Sequence, residues 1–218
     1  MTASMVMVRK EQVEITKLRI LSTAERLYAE RGVLAVSNRQ ISEAAGQGNN
    51  FAVGYHFGGR PELVRAILDR HDLGLDPIRE RMLAEIAPDA ELRDWIGILV
   101  YPQTEYYASM EAPTHFGRFC AQIVTDPVLC NVLYEAAAGA ESLMRVLTGM
   151  YAALPDLPDS VRAARDVMTR SIIVHSIADF ENTRATQDED EDLPSWHELG
   201  VDLVDALVGL WTAPVTRS

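Results

Sequence analysis

One short stretch, residues 37–57, contains two helical patterns that are separated by a glycine-bearing turn. Ser37 and Gln40 match the S-x-x-Q pattern of a capping box, which predicts that a helix begins directly after Ser37. Gly46 is suited to end this helix, because glycine readily adopts the left-handed backbone conformation found at helix C-termini. Two asparagines follow, and either of them can cap the second helix. The pattern predicts a helix-turn-helix unit of the kind that reads DNA.

Helical patterns also precede and follow this unit. Residues 17–31 carry apolar side chains at helical spacing and are followed by Gly32, a suitable helix terminator. Pro61 fits the first turn of a further helix, where its missing N–H removes no hydrogen bond. Residues 1–16 are predicted to form a flexible arm. The apolar residues expected to face the interior of this segment are Ile20, Leu21, Ala24, Leu27, Tyr28, Ile41, Ala44, Ala45, Leu63, Val64, Ile67 and Leu68.

The rest of the chain also has helical patterns, without the alternation of apolar and polar residues that predicts strands. Pro102 predicts a kink or break in one helix, and Ser195 with Glu198 repeats the capping-box pattern at the start of the last one. The acidic run QDEDED at residues 187–192 is predicted to be a solvated loop. Helices are expected over residues 76–86, 91–109, 114–125, 128–154, 159–183 and 195–212.

Charge is distributed unevenly along the chain. The net charge is −12, which taken alone argues against binding to nucleic acid. Residues 9–72 nevertheless hold ten Lys and Arg against eight Asp and Glu, so the acidic excess lies entirely outside this segment. We therefore expect an all-α fold with two tasks, in which a helix-turn-helix domain spans residues 17–73 and a larger helical domain spans 74–218.

Several classes of protein are disfavoured by the sequence. No apolar run reaches the roughly 18 residues that a membrane span needs, and the N-terminus lacks a secretory pattern. Cys120 and Cys130 fit a reducing cytosol better than a disulfide scaffold, although a redox switch stays open. No two histidines lie at i, i+4 spacing, and no nucleophile or phosphate-loop motif occurs. We expect no metal site, no cofactor and no catalytic residue.

Residues spread over positions 20–68 match one known pattern in order and spacing. They are Ile20, Leu21, Ala24, Leu27, Tyr28, Glu30, Arg31, Gly32, Ser37, Ile41, Ala44, Ala45, Gly46, Tyr55, His56, Phe57, Arg60, Glu62 and Leu63. Through them the chain resembles the tetracycline-repressor (TetR/AcrR-like) family of bacterial transcriptional regulators. The resemblance implies an all-α, cytoplasmic and nucleoid-associated homodimer with a three-helix DNA-binding head and a ligand-binding and dimerisation domain. It further implies a repressor that leaves a palindromic operator when a small molecule binds.

The resemblance also implies which residues contact DNA. Tyr55 and His56 fall where the family contacts backbone phosphates, and Arg60 falls at another phosphate position, where a lysine is usual. Asparagine can pair with adenine, and a phenylalanine can meet the methyl group of thymine. The predicted DNA-binding residues are Arg39, Gln47, Asn49, Asn50, Phe51, Tyr55, His56 and Arg60.

Two departures from the family pattern affect this assignment. The segment between Gly46 and Tyr55 is one residue longer than usual, and Gly54 replaces a bulkier residue. Glycine costs about 1 kcal/mol in a helix relative to alanine, so we expect it to allow close approach of the backbone either to DNA or to the first helix. The base contacts are the part of the assignment that depends on this segment.

The larger domain is interpreted from its apolar patterns. Aromatic and polar residues of the middle helices predict a small-molecule pocket, although aromatic side chains at helical spacing belong more often to a core. The predicted ligand-binding residues are Trp95, Tyr106, Tyr107, Met110, His115, Phe119 and Met144, with Tyr101, Glu105, Phe116 and Arg118 as further candidates. A wide apolar stripe on the last helix predicts a dimer interface formed by Leu203, Val204, Leu207, Val208 and Trp211, with simple core packing as the alternative.

The sequence favours one function and leaves others open. It predicts a ligand-responsive, DNA-binding transcriptional repressor that acts as a homodimer on double-stranded DNA. One alternative is a small-molecule-binding or enzymatic helical protein whose head is incidental. Another is a regulator that activates transcription or answers to a protein partner.

Overall fold

A computed structural model describes residues 2–110, 114–186 and 193–216. Within these ranges the chain forms ten helices and no strand, which confirms the predicted all-α class. In chain order the helices are α1 (Thr2–Arg31), α2 (Asn38–Ala44), α3 (Ala52–Phe57), α4 (Arg60–Glu85), α5 (Leu92–Ala108), α6 (Phe116–Ile123), α7 (Pro127–Gly139), α8 (Glu141–Ala152), α9 (Asp159–Thr186) and α10 (Trp196–Thr212).

The helices α1 to α3 and the first half of α4 pack together into a unit that we call the head. The capping box at the start of α2 is formed as predicted: the backbone N–H of Ser37 donates to Gln40 Oε1 at 2.8 Å, and that of Gln40 donates to Ser37 Oγ at 3.3 Å. Gly32 and Gly46 have φ angles of +86° and +68°, which confirms both as helix terminators. The predicted apolar residues surround one shared core, with only Ala44 exposed.

Helix α1 begins at Thr2, so the flexible arm predicted for residues 1–16 is wrong for the residues that the structure describes. The physical reason is that residues 2–31 contain neither glycine nor proline, so nothing interrupts the helix before Gly32. The side chains of residues 10–12, and of Ile15 and Leu18, are exposed. This first part of α1 therefore extends beyond the packed core of the head.

Helix α4 runs without interruption from the head into the rest of the chain, which we call the body. A separate helix over residues 76–86 was predicted, but Gly74 and Pro77 both lie inside α4. Proline removes the hydrogen bond to the carbonyl four residues earlier, that of Leu73, and Leu73 and Pro77 are on the exposed side of the helix where water can replace it. The predicted domain boundary at residue 73 therefore falls within a helix.

The body contains α5 to α10 and the second half of α4. Pro102 lies inside α5, which is continuous, so the predicted break there is wrong. The single helix predicted over 128–154 is divided into α7 and α8 at Ala140, whose backbone is extended (φ −83°, ψ 98°). The capping box of Ser195 and Glu198 is confirmed at the start of α10. The acidic run predicted at residues 187–192 lies outside the described residues.

The core of the body is built where α5 packs on α10 and where α6 packs on α9. Trp211 of α10 is fully buried and donates its indole N–H to Thr169 Oγ1 of α9 at 2.9 Å. Arg165 of α9 donates to the Trp211 carbonyl at 2.7 Å, so the end of α10 is fixed to α9 by both side chain and backbone. None of the helices described is both long and apolar enough to cross a membrane.

Candidate nucleic-acid interface and interior cavity

Helix α3 is held on the head by one face and presents the other to solvent. Ala52 and Val53 are buried, and the backbone N–H of Val53 donates to the buried Ser42 Oγ of α2 at 3.3 Å. On the opposite face, Phe51 and Tyr55 are 79% and 81% exposed. Two large aromatic side chains, one directly before this short helix and one within it, are therefore largely exposed to solvent and not part of the core of the head.

Gly54 lies between these two aromatic residues on the exposed face. A Cβ atom placed on Gly54 would meet nothing within 4 Å. The expectation that this glycine allows close approach to the first helix is therefore wrong, because α3 does not approach α1 there. The alternative, that it leaves room for an external partner such as DNA, stays a prediction.

In the turn before α3, two side chains form hydrogen bonds that stabilise the backbone, and a third forms none with the described residues. Asn49 Oδ1 accepts from the backbone N–H of Phe51 at 2.9 Å, and Gln47 Nε2 donates to the Ala45 carbonyl at 3.1 Å. Both side chains thus stabilise the turn. Asn50 is exposed, and its side chain forms no hydrogen bond with any residue that the structure describes. Of the predicted base-reading amides, Asn50 is the one positioned to bind an external group.

Two further predicted DNA-binding residues lie near the exposed face. The ring of His56 packs edge-on against Tyr55, with centroids 4.9 Å apart, so the two side chains support each other. Arg39 is exposed on α2 and pairs with Glu43 through Nε at 2.8 Å. This hydrogen bond raises the pKa of Arg39, which is cationic in any case. An approaching phosphate would have to compete with Glu43 for the guanidinium.

The side chain of Arg60 is oriented differently from the prediction that it contacts a DNA phosphate. Its guanidinium turns into the head and donates through Nη2 to the Val36 carbonyl at 3.0 Å, while Nε is buried. Arg60 also lies close to Tyr28, whose pKa is raised by burial and partly lowered again by this cation. The predicted phosphate contact is therefore not what this geometry favours. Arg60 instead ties the start of α4 to the segment between α1 and α2.

A cavity of about 370 Å³ lies between the helices α4 to α9 and is open to solvent on part of its surface. Its volume is within the range of small-molecule sites. The lining is mostly apolar: Leu68, Leu75, Leu99, Tyr107, Phe116, Leu133, Leu143, Leu147, Met150, Ile173, Val174 and Ile177 contribute, with the polar residues Asp69, Asp72, Arg79, Gln103, Cys120, Tyr134, Tyr151, Asp166, Thr169 and Arg170. Its polar groups lie mainly along α4 and α9.

The lining differs from the predicted ligand-binding set, of which Tyr107 alone takes part; Phe116 was a further candidate. Phe119 is fully buried and stacks on Tyr28, while Met144 is exposed on the outer side of α8. Trp95 packs on Gly149, Tyr106 contacts His71, and Met110 packs against the main core. His115 contacts Arg118, and burial with this cation lowers the pKa of His115. The helical pattern identified interior residues, but not which of them line empty space.

Burial controls the ionisation of several groups in the cavity wall. It raises the pKa of Tyr107 and of the Cys120 thiol, so both are neutral at ordinary pH. Tyr151 donates to Asp166 Oδ1 at 2.8 Å, and burial together with this hydrogen bond raises the pKa of Tyr151 to about 12. The interior end of the cavity is thus uncharged, whereas Asp166 and Arg170 carry charge at the other end.

A buried polar cluster links the head to the wall of this cavity. Glu25 of α1 is 5% exposed and pairs with Arg70 of α4, and its Oε2 lies 2.8 Å from Nε2 of the 3% exposed His71. The other ring nitrogen of His71 is 3.1 Å from the Tyr106 hydroxyl. The His71 ring stacks on Phe116 with centroids 3.7 Å apart, and Phe116 lines the cavity.

Sequence reasoning missed this cluster. Its partners are 45 and 46 positions apart in the chain, so no local spacing joins them. One signal was present: Glu25 lies at helical spacing among Leu21, Ala24 and Tyr28, which places a carboxylate on an otherwise apolar face. A buried carboxylate requires partners, and that alone predicts an ion pair without identifying its cation.

The predicted dimer stripe on α10 faces the interior of the same chain. Leu203, Val204, Leu207 and Trp211 are all buried against α5 and α9, and Val208 is half-buried. The interface assignment does not fit these four buried residues, which agree with the alternative of core packing, whereas for the half-buried Val208 it stays a prediction. The stripe is wide because α10 contacts two helices of its own chain. Exposed apolar side chains on the outer side of α9 and α10 are those of Val167, Met168 and Val201.

The chain is similar to known proteins in two ways: in sequence over a short segment, and in structure over most of its length. No family profile matches it. Over 60 residues it is 38% identical to the HTH-type transcriptional regulator TtgR of Pseudomonas putida, a match that spans only 28% of either protein. A putative TetR-family transcription regulator from Shewanella sp. PV-4 has a TM-score of 0.60 at 15% identity, over 93% of this chain and 99% of the other. The multidrug binding protein EbrR, solved with imidazole, has a TM-score of 0.50 at 20% identity, over 93% and 98%.

Proposed function

We propose that this chain, which has the fold of TetR-family transcription regulators, is a dimeric DNA-binding regulator that leaves its operator when a small molecule enters the interior cavity. The observation that carries the proposal is the outward face of α3. Phe51 and Tyr55 are exposed there beside a glycine that leaves open space and an asparagine free to bind. The similarity of the chain to TtgR over 60 residues supports the same function.

Each residue of this face has a chemical role in the proposed complex. Asn50 reads a base edge in the major groove, for which an amide pairing with adenine has the right donors and acceptors. Phe51 contacts a thymine methyl group. Tyr55 and His56 donate to phosphate oxygens and so fix the position of the head without reading sequence. Arg39 joins them when a phosphate displaces Glu43.

Dimerisation is part of the proposal because one helix-turn-helix head has few contacts, and two heads bind half-sites about 34–36 Å apart. The partner surface is the outer side of α9 and α10. Val167 and Met168 are about half exposed there, and they are adjacent in the middle of α9. This surface replaces the buried stripe of α10 that the sequence suggested.

Ligand binding is coupled to the head through helices that contact both. Helix α6 supplies Phe116, Gly117 and Cys120 to the cavity and also packs against α1 of the head. The cluster of Glu25 and His71 joins α1 to α4 beside the same wall. A ligand that fits the cavity better in one arrangement of α6 and α4 shifts the population toward that arrangement, and only this difference in affinity can release DNA.

Selection from a random duplex library, followed by fluorescence anisotropy on the enriched sequence, tests the proposal. We expect an inverted repeat, and an affinity that falls steeply with salt because several phosphates are contacted. Phe51→Ala combined with Tyr55→Ala should weaken binding at least tenfold. Leu73→Ala, which removes an equally exposed apolar side chain from α4, should not. A library without enrichment and an affinity independent of salt would refute the DNA-binding function.

A reporter gene placed behind the selected sequence separates repression from its alternatives. Repression predicts lower expression when the protein is present. Higher expression would identify an activator, which keeps the DNA-binding function but not the sign that we propose.

A further inference from the structure

Along helix α9 the lining of the cavity runs from a buried end to an exposed end. The helix contributes lining residues from Asp166 to Ile177, a stretch of twelve residues whose eleven rises of 1.5 Å span about 16 Å. At the Ile177 end, Tyr107 and Phe116 are buried. At the Asp166 end, Tyr134 and Tyr151 are 49% and 38% exposed. We call the exposed end beside Asp166 the mouth, although Asp69 and Asp72 on the α4 side are also exposed, and the α9 lining is long enough to contact an extended chain.

Between these two ends most of the wall is hydrocarbon, apart from Gln103 of α5 and the charged residues of α4. The hydrocarbon part is formed by leucines of α5, α7 and α8 and by β-branched residues of α9. The neutral Tyr107 and Cys120 close the buried end. Displacing water from such a wall favours an apolar chain by about 25 cal/mol per Å² of buried surface. The inner part of the ligand is accordingly uncharged and apolar.

The acidic groups of the α4 wall already have cationic partners. Asp69 accepts from Arg65 Nε at 2.6 Å, and Asp72 lies 3.6 Å from the guanidinium of Arg79. Arg79 is itself engaged, because it also donates to the hydroxyl of Ser142 at 2.7 Å. This side of the cavity therefore offers neither a free anion nor a free cation to a ligand.

Arg170 at the mouth is different. Its guanidinium lies over the ring of Tyr134, 4.9 Å from the centroid, and the nearest side-chain partner is the Cys130 sulfur at 3.9 Å. No carboxylate of the described residues lies within 4.0 Å of it. Asp166, one turn earlier, accepts instead from the Tyr151 hydroxyl. At the mouth, the N–H groups of the Arg170 guanidinium therefore have few hydrogen-bond acceptors among the described residues. The Asp166 carboxylate beside it already accepts a hydrogen bond from Tyr151.

We propose that the effector is an elongated anionic amphiphile, whose carboxylate or comparable anionic group pairs with Arg170 at the mouth while its apolar chain extends toward Tyr107. This assignment rests on the proposed function, since it names the chemical class of the ligand that the cavity serves. Arginine suits the role because its planar fork binds a carboxylate through two parallel hydrogen bonds.

Three probes with twelve carbon atoms each test the class: dodecanoate, dodecylamine and dodecanol. Each is titrated into the full chain without DNA, the two ionic probes below their critical micelle concentrations and dodecanol below its solubility limit, and binding is measured by isothermal titration calorimetry. We expect dodecanoate to bind at least tenfold more tightly than dodecanol, because a hydrogen bond to a charged group is added, and dodecylamine to bind more weakly than either.

Variants of Arg170 test whether its positive charge binds the anionic group of the ligand. Arg170→Gln should weaken dodecanoate about tenfold or more and leave dodecanol unchanged, so that the two probes become similar. Arg170→Lys should restore part of the preference, because the charge is kept without the fork. Arg145→Gln is the matched control, since Arg145 is an exposed arginine of the body that pairs with Glu80 away from the cavity. Circular dichroism and thermal melts verify that each variant is folded.

Three results would overturn the proposal. The first is tighter binding of dodecylamine than of dodecanoate, which would make Asp166 the anchor. The second is an unchanged affinity for dodecanoate in Arg170→Gln. The third is failure of all three probes to bind. Because DNA is absent, these results are independent of regulation: if dodecanoate binds through Arg170 but does not release DNA, the ligand class stands and the regulatory function fails.

Discussion

Glu25→Gln is the substitution that tests most directly how α1 is fixed to α4 beside the first residues of the body. Glu25 is buried, and it accepts from Arg70 and contacts His71 across the boundary between α1 and α4. Glutamine keeps the size and shape of the side chain but removes the charge. The substitution therefore isolates the electrostatic part of the contact from its packing.

The magnitude follows from the environment of each partner. A hydrogen bond to a charged group contributes about 1.5–3 kcal/mol, and breaking one side of a buried ion pair costs about 3–5 kcal/mol. The Arg70 side chain is 27% exposed and can turn toward water, which places the loss at the low end, about 3 kcal/mol. In a chain of this size 1 kcal/mol corresponds to about 2–4 °C, so Tm should fall by about 6–12 °C.

Thermal unfolding followed by circular dichroism measures this change. Glu43→Gln is the control, since Glu43 is the acidic partner of an exposed pair in the same head, with Arg39. Exposed pairs contribute little, so we expect the Tm of this variant to equal that of the unaltered protein within error. If Glu25→Gln were also unchanged within about 2 °C, the conclusion that the charge of Glu25 stabilises the packing of α1 on α4 would be refuted.

Three further predictions concern DNA and pH. Tyr55→Ala should weaken binding to all DNA sequences by a similar factor in anisotropy titrations, and a loss confined to one base position would contradict its phosphate role. Asn50→Ala should reduce discrimination at one base pair by about 1–3 kcal/mol, and an identical selected sequence would exclude base reading. Burial and the Arg118 cation lower the pKa of His115 below 6.5 in the folded protein. Above pH 6.5 the imidazole is neutral in both the folded and the unfolded states, so the free energy of unfolding keeps its full value. As pH falls through the folded pKa, the unfolded state binds the proton more readily, and the free energy of unfolding decreases. His115→Gln should therefore lose less Tm than the unaltered protein between about pH 7 and pH 5, and equal losses would exclude this group.

Local chemistry made part of the fold predictable. Capping boxes and helix-ending glycines act within a few residues, so Ser37, Gly46 and Ser195 marked helix ends correctly. The division at Ala140 was missed because the alanines and leucines on both sides are good helix formers, although Gly139, the last residue of α7, was a local signal for a helix end. The chain turns there, and α8 packs on α4 and α5.

The sequence allowed some residues of the candidate sites to be placed, but not others. The position of α3 follows from a short motif, and Asn50 and Tyr55, which were predicted to contact DNA, are both exposed there, while their contact with DNA stays a prediction. Arg60 was not placed correctly, since only the folded head shows that the Val36 carbonyl needs a donor. The stripe of α10 has the same pattern whether it faces a partner or its own chain, because periodicity reports which side is apolar and not what covers it.

The open space at Gly54 has a consequence for how such a protein can change over generations. A side chain added there would touch nothing in the head, and replacing glycine in a helix stabilises the helix by up to about 1 kcal/mol. Substitutions of Gly54, between Phe51 and Tyr55, are therefore expected to leave the fold intact. Under the proposed function, descendants of this chain can acquire different target sequences through this single position, because changes there alter recognition and not the fold.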